Sequence, residues 1–347
     1  MSWALRGVAL IYSLKKYFEK IEILKSTEHL KSEDRVRLSE ARLKYAIYMY
    51  FDCKRRNDFR EANEYLAVPE SYMSHCQNAV LISKVIRFQA ISQKESGNRK
   101  RFFDILLKGV SEFPQNQYLL AVYNANLAAE WLLEDPDKAL TIVDEQALPA
   151  AKSIDEYLHL WICNDRLIYG IRSERFNNKQ VLDAYQKIVT KAEHLCSITD
   201  KARAENTYGA FCYKYSNDKR AACEHFKNAV YMICKHECNS IMAYFVGNYI
   251  QMLPRTEKEE FDFIADMLLN WYKENINYVI EKTNDPAIPN KDNKIIMSLY
   301  SFADTLRKRN DQRYRFLIKI KGLSNIFEKN ITMNQSFFIR EIPIILF

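Results

Sequence analysis

Seven glycines in 347 residues constrain this chain more than any other feature. Average usage would supply about three times as many. Loops that cradle phosphates need glycine, because backbone N–H groups must approach an anion closely and several residues must take positive φ. The seven are Gly7, Gly97, Gly109, Gly170, Gly209, Gly247 and Gly322. No spacing among them makes G-x-G-x-x-G, G-x-x-x-x-G-K-[ST] or G-x-S-x-G. P-loop NTPases, Rossmann enzymes and kinases are thereby disfavoured. So are antiparallel β folds with their glycine-rich turns.

Helical periodicity fills the space that glycine leaves. Phe103, Leu106, Leu107 and Val110 follow i, i+3, i+4, i+7. Tyr208, Phe211, Cys212 and Tyr215 do the same, as do Ala222, Phe226, Ala229, Val230 and Ile233, and Phe261, Ile264, Ala265 and Leu268. Each set lays one apolar stripe along a helix. Pro69, Pro114, Pro136, Pro149 and Pro254 are expected to stand where stripes end, and Asn177-Asn178 and Asn217-Asp218 mark further turns. Short breaks between long helices predict antiparallel helix hairpins. The stretch 284–293, with Pro286 and Pro289, is the longest loop-like segment and divides an expected array over 1–283 from a basic helical extension with an apolar tail over 284–347.

Charge is unevenly placed. The net charge is +7. Residues 130–165 hold nine acids against Lys138 and Lys152, and residues 291–330 hold ten bases against four acids. This reads either as solvated helix faces or as a basic docking end for an acidic or phosphate-bearing partner. The first twenty residues read as an amphipathic helix rather than a secretory signal. No run of about 18 apolar residues exists, so no membrane association is expected. The eight cysteines are expected to be reduced thiols of a cytoplasmic protein.

Residues 206–229 carry small residues where two helices would cross, and an aromatic beside them: Ala210 and Tyr213 on the first helix, Ala222, Phe226 and Ala229 on the second, with Ser216-Asn217-Asp218 between. This stretch resembles a tetratricopeptide repeat, with Asn206 at the usual tryptophan and Ala210 at the usual glycine. Residues 55–66 (Ala62, Leu66), the segment ending in Pro114, and residues 135–143 (Ala139, Val143) are similar in part. The resemblance implies an all-α, right-handed superhelix whose concave face holds a protein or peptide. A non-repeating helical bundle is the alternative. In the repeat register Thr207, Phe211 and Lys214 fall on the inner side, and Asn124, Asn126 and Trp131 are comparable groove candidates.

Cys223, His225, Cys234, His236 and Cys238 cluster in sequence. Cys223 and Cys234 would lie about 16 Å apart on one helix, too far to share an ion, so no metal or other cofactor is expected. Arg220 and His225 resemble the Arg-x4-His motif of HEPN-type helical ribonucleases, which implies His and Arg serving proton transfer and phosphate charge. Arg307, Lys308, Arg309, Arg313 and Arg315, interleaved with Tyr314 and Phe316, form a basic patch that nucleic acid could use. The function expected is a non-catalytic, peptide-binding scaffold or sensor within a regulatory or signalling complex. The alternatives are a helical ribonuclease and a nucleic-acid adaptor.

Overall fold

A computed structural model describes residues 32–55, 59–68, 70–95, 98–234, 240–283 and 294–320. The amphipathic N-terminus, Pro69, the 284–293 loop, His236, Cys238 and the apolar tail lie outside the described residues. Among the described residues every element is helical and no strand occurs. The helices are α1 (Ser32–Arg55), α2 (Phe59–Leu66), α3 (Glu70–His75), α4 (Ala79–Glu95), α5 (Arg99–Glu112), α6 (Gln117–Trp131) and α7 (Pro136–Ile142). A π turn (Val143–Ala147) joins α7 to α8 (Leu148–Ala151). Then come α9 (Glu156–Arg172), α10 (Asn178–His194), α11 (Ile198–Lys214), α12 (Lys219–Cys234), α13 (Ser240–Met252), α14 (Lys258–Glu274), α15 (Ile276–Thr283), α16 (Lys294–Lys308) and α17 (Arg313–Leu317).

The chain forms two compact units, Met1–Asn126 with Pro149–Ile154, and Leu127–Leu148 with Asp155–Phe347. In the first, α1 packs on α2, α3 and α4, and α4 packs on α5. In the second, each helix from α9 to α13 packs on its successor, α9 also reaches α11, and α16 lies along α13. Leu299, Phe302, Ala303 and Leu306 of α16 are buried in the core of the second unit. Residues 294–317 are thus built into that unit and do not stand apart at a boundary after residue 283. The prolines at 286 and 289 suggested a division, but the apolar stripe of α16 decides the packing.

A chain this poor in glycine must turn by other means. Glu174, Cys196, Asn217 and Asn310 take φ of 57°, 52°, 51° and 53°. Each follows the end of a helix, where glycine is the usual choice because a left-handed residue with a Cβ is strained. At Cys196 and Asn310 the turn is closed by i→i−5 bonds, Ser197 N–H to Ala192 O (2.8 Å) and Asp311 N–H to Leu306 O (2.9 Å). Helix starts are conventional: Asn177 and Gln180 form a reciprocal capping box, and Asp135, Asp155 and Asp218 cap α7, α9 and α12.

The glycines that the structure describes serve contact between side chains and helices. A Cβ on Gly209 would stand 3.0 Å from the Phe226 ring and 3.2 Å from the Ala222 carbonyl. A Cβ on Gly109 would stand 2.9 Å from both Ile86 and Leu119, and one on Gly247 2.9 Å from Ser298 Oγ. A side chain at Gly209 would thus crowd α12, one residue before the Ala210 that the repeat pattern marks as the small position.

Two expectations are corrected. Pro149 does not end a helix. It lacks the N–H that would bond Glu145 O, and its ring would crowd that carbonyl. The π turn absorbs the fault just upstream, with Leu148 N–H donating to Val143 O, and the helix continues to Ala151. The stripe on α5 is also displaced. Phe102, Leu106 and Gly109 are buried, whereas Leu107 is half exposed. The stripes on α12 and α14 are buried as the sequence indicates.

Gly209→Val is expected to destabilise the chain by about 1–3 kcal/mol, because the added methyls must displace Phe226 or separate the helices. A thermal melt followed by circular dichroism measures this, and an unchanged midpoint would show that the α11–α12 contact is looser than described.

Candidate functional site

The expected groove residues do not form an open surface. Thr207 (1% exposed) and Phe211 (5%) are buried, because α11 is covered by α9, α10 and α12. Lys214 is exposed, and its Nζ sits 3.1 Å from Tyr215 Oη. Asn124 is buried, and the Asn126 amide donates to its own helix at Val122 O (2.8 Å). Trp131 is half-buried with Lys138 Nζ 3.3 Å above its ring.

Around α11 lies a polar and aromatic cluster instead. Glu205, buried, accepts from Tyr185 Oη (2.8 Å) on one oxygen and lies 2.7 Å from His225 Nδ1 on the other. Tyr185 and Tyr208 stack at 4.3 Å, and the His225 ring meets both edge-on. Burial, then the Glu205 charge, pushes the Tyr185 phenol well above its usual range. His225 is thereby held as part of a packed network. Arg220, five residues earlier and about 140° around the helix, is exposed on the first turn of α12. The pair does not converge on one site. Two further thiols are deactivated by their surroundings: burial pushes Cys163, 3.6 Å from His159 Nδ1, up to about 11, and Cys212 likewise to about 11. Cys223 is half-buried, and Cys234 Sγ contacts Met267 Sδ at 3.4 Å.

The basic patch is largely consumed within the fold. Arg313, 13% exposed at its side chain, binds Asp262, Asp266 (3.1 Å) and Asp311 (2.5 Å). Arg309 lies 3.9 Å above the Phe261 ring and donates to Leu253 O. Arg307 and Lys308 each pair with Asp304 at 2.8 Å. Arg315 is exposed beside the exposed Phe316. The acidic stretch is balanced too: Asp137 pairs with Arg175, Asp144 with Arg166 (2.5 Å) and Asp165 with Arg203 (2.8 Å).

The first unit holds the better candidate, a groove of about 690 Å³. The end of α2, the 67–68 connection and α3 form one wall, and α4 and α5 form the other. Its apolar lining includes Leu66, Val68, Met73, Ile86 and Ile105. Among these stand amides. Gln89 Nε2 donates to Leu66 O (2.7 Å), and Ser92 Oγ donates to Asn63 Oδ1. Those two bonds use one end of each amide. Among the described residues Gln89 Oε1 and Asn63 Nδ2 have no partner, leaving an acceptor and a donor at the groove. Arg101, Lys108 and Glu112 complete the α5 wall, and Lys108 pairs with Glu112 at 3.2 Å. Sequence reading passed over this site, although α2 and α5, which line it, come from the segments with partial repeat similarity. The available signal was the amides Asn63, Gln89 and Gln93 interrupting otherwise apolar faces.

No protein-family model matches the chain, and no curated protein matches it. Among the described residues no group of three or more His, Cys, Asp or Glu side chains is placed to hold a metal ion, and no helix is long and apolar enough to cross a membrane.

Two measurements test these assignments. Arg313→Ala is expected to cost roughly 2 kcal/mol in denaturant unfolding, because it leaves Asp262 and Asp311 without their shared cation, whereas Arg315→Ala stays within about 0.5 kcal/mol. Equal effects would contradict the division of the patch. The second concerns Glu260, which accepts from Tyr249, Tyr231 (3.2 Å) and Lys227 (3.2 Å). Burial raises its carboxyl, but these bonds outweigh that and hold it below the ordinary 4.5. Its contribution is therefore full above pH 4.5 and is lost as pH falls through the lower folded-state value. Stability of the wild type should fall more steeply below pH 4.5 than that of Glu260→Gln; parallel profiles would remove the assignment.

Proposed function

We propose that this chain is a tetratricopeptide-like helical-repeat scaffold that recognises an extended peptide or protein segment as a subunit of a regulatory or signalling complex. The observation that carries this reading is the first-unit groove. It joins an aliphatic lining to amide groups with unused hydrogen-bonding capacity, and an extended peptide needs both: pockets for side chains and partners for its backbone. Sequential side-by-side packing of α9 to α13 and the buried Ala222, Phe226 and Ala229 support the repeat reading. A ribonuclease reading loses support because Arg220 and His225 face different surroundings. A nucleic-acid reading loses support because Arg309 and Arg313 are engaged by the fold and Arg307 and Lys308 share the Asp304 carboxylate.

The test is affinity purification from the native cell with the wild type and Ile105→Trp, which fills the groove. The expected result is one stoichiometric partner lost by at least tenfold in the variant, with the circular dichroism spectrum unchanged. A partner retained equally by both proteins would move the binding surface elsewhere.

A further inference from the structure

We propose that the groove selects a peptide of about five extended residues, aliphatic in the middle, with an acidic side chain at the end that meets Arg101. This deepens the peptide-recognition reading and rests on it. The α5 wall is a single helical stripe: Arg101, Ile105, Lys108, Gly109 and Glu112 stand at i, i+4, i+7, i+8 and i+11. From Arg101 to Glu112 the helix rises about 16 Å at 1.5 Å per residue. An extended strand at about 3.3 Å per residue covers that span with about five residues. Ile105 lies between the two ends and lines the groove together with Leu66, Val68, Met73 and Ile86, so the middle of the ligand is apolar.

The ends differ in charge. At the far end Lys108 and Glu112 neutralise each other at 3.2 Å. At the near end the first turn of α5 carries Arg99, Lys100 and Arg101 and no acid. The helix dipole is positive there as well, so three cations stand where the backbone already repels them. Among the described residues Arg101 pairs with no carboxylate. A ligand carboxylate at this end relieves that repulsion and fixes the direction in which the peptide lies. A side-chain carboxylate fits better than a chain terminus. A terminal carboxylate is usually captured by unused backbone N–H groups, and the N–H of Arg101, the first-turn residue that lines the groove, is already taken by Asn98 Oδ1 (3.1 Å). Arg101 is also exposed, so the peptide can run past it.

The experiment selects a displayed library of random nonapeptides on the full chain, then measures synthetic winners, with acetylated and amidated ends, by fluorescence anisotropy. Winners are expected to share aliphatic residues flanked on one side by Asp or Glu. Replacing that acid by its amide should weaken binding at least tenfold. Arg101→Glu should weaken the acidic winner at least tenfold and restore binding to a version with Lys in place of the acid. Winners without an acid, or winners indifferent to Arg101→Glu, would overturn the charge rule while leaving peptide recognition standing. Affinity that disappears on amidation of the C-terminus would overturn the side-chain assignment. A selection without winners, or winners unaffected by Ile105→Trp, would sink peptide recognition in this groove and the charge rule with it.

Discussion

The close approach of paired helices, made possible where a side chain is missing, is the constraint on which this molecule depends. Gly109, Gly209 and Gly247 each let a neighbouring helix come nearer than a Cβ would allow, and Gly170 receives the Phe176 ring in the same way. At close range the dispersion contacts of Ile86, Phe226 and their neighbours become numerous, and burial of those apolar surfaces holds each pair. Glycine in mid-helix is disfavoured by roughly 1 kcal/mol relative to alanine. The chain retains it at these positions because contact between elements outweighs that local cost. It spends none of the described glycines on turns, where Glu174, Cys196, Asn217 and Asn310 accept left-handed backbone instead.

Polar groups inside the second unit follow the same packing. Glu205 is buried only because Tyr185 and His225 satisfy both of its oxygens, and Asn206 is buried with its carbonyl taken by Asn248 Nδ2 at 2.9 Å. Arg309 and Arg313 converge on Phe261 and tie α14 to the end of α16. These residues carry chemistry that would be reactive on a surface. Within the fold they act as struts, since a buried charge is tolerated only when its hydrogen-bonding capacity is met.

The groove differs from those sites in where its unmet groups lie, at an opening rather than enclosed like Asn206 Nδ2, which has no partner among the described residues. Gln89 and Asn63 each use one end of an amide on the protein, and among the described residues Arg101 pairs with no carboxylate. The face of α5 that carries Arg101, Ile105, Lys108 and Glu112 shares one wall with α4, and Gly109 marks its seam with Ile86 and Leu119. The proposed peptide site therefore lies where packing stops, along the stripe adjacent to Phe102 and Leu106, and the helix contacts that bury those residues set the position of the wall.

How far the sequence reached can be read residue by residue. Periodicity was sufficient for the all-helical class and for the stripes of α12 and α14, because apolar residues at 3.6-residue spacing bury on one side of a helix whatever the partner. On α5 it failed by one residue. Phe102 and Phe103, and Leu106 and Leu107, are alternatives of equal hydrophobicity, and only Ile86 and Leu119 pressing on Gly109 settle which face goes inward. Thr207 and Phe211 seemed to line a hollow, but neighbours on several sides of α11 bury them. The cations of 307–315 looked like a docking patch; Asp304 and Asp311 stand beside them in sequence, but only the fold brings Asp262 to Arg313 and the Leu253 carbonyl to Arg309. Local pattern determined what each segment is, since helix formation depends on nearby residues. Only the tertiary structure decided which faces remain open, since that depends on residues tens of positions away that no local spacing encodes.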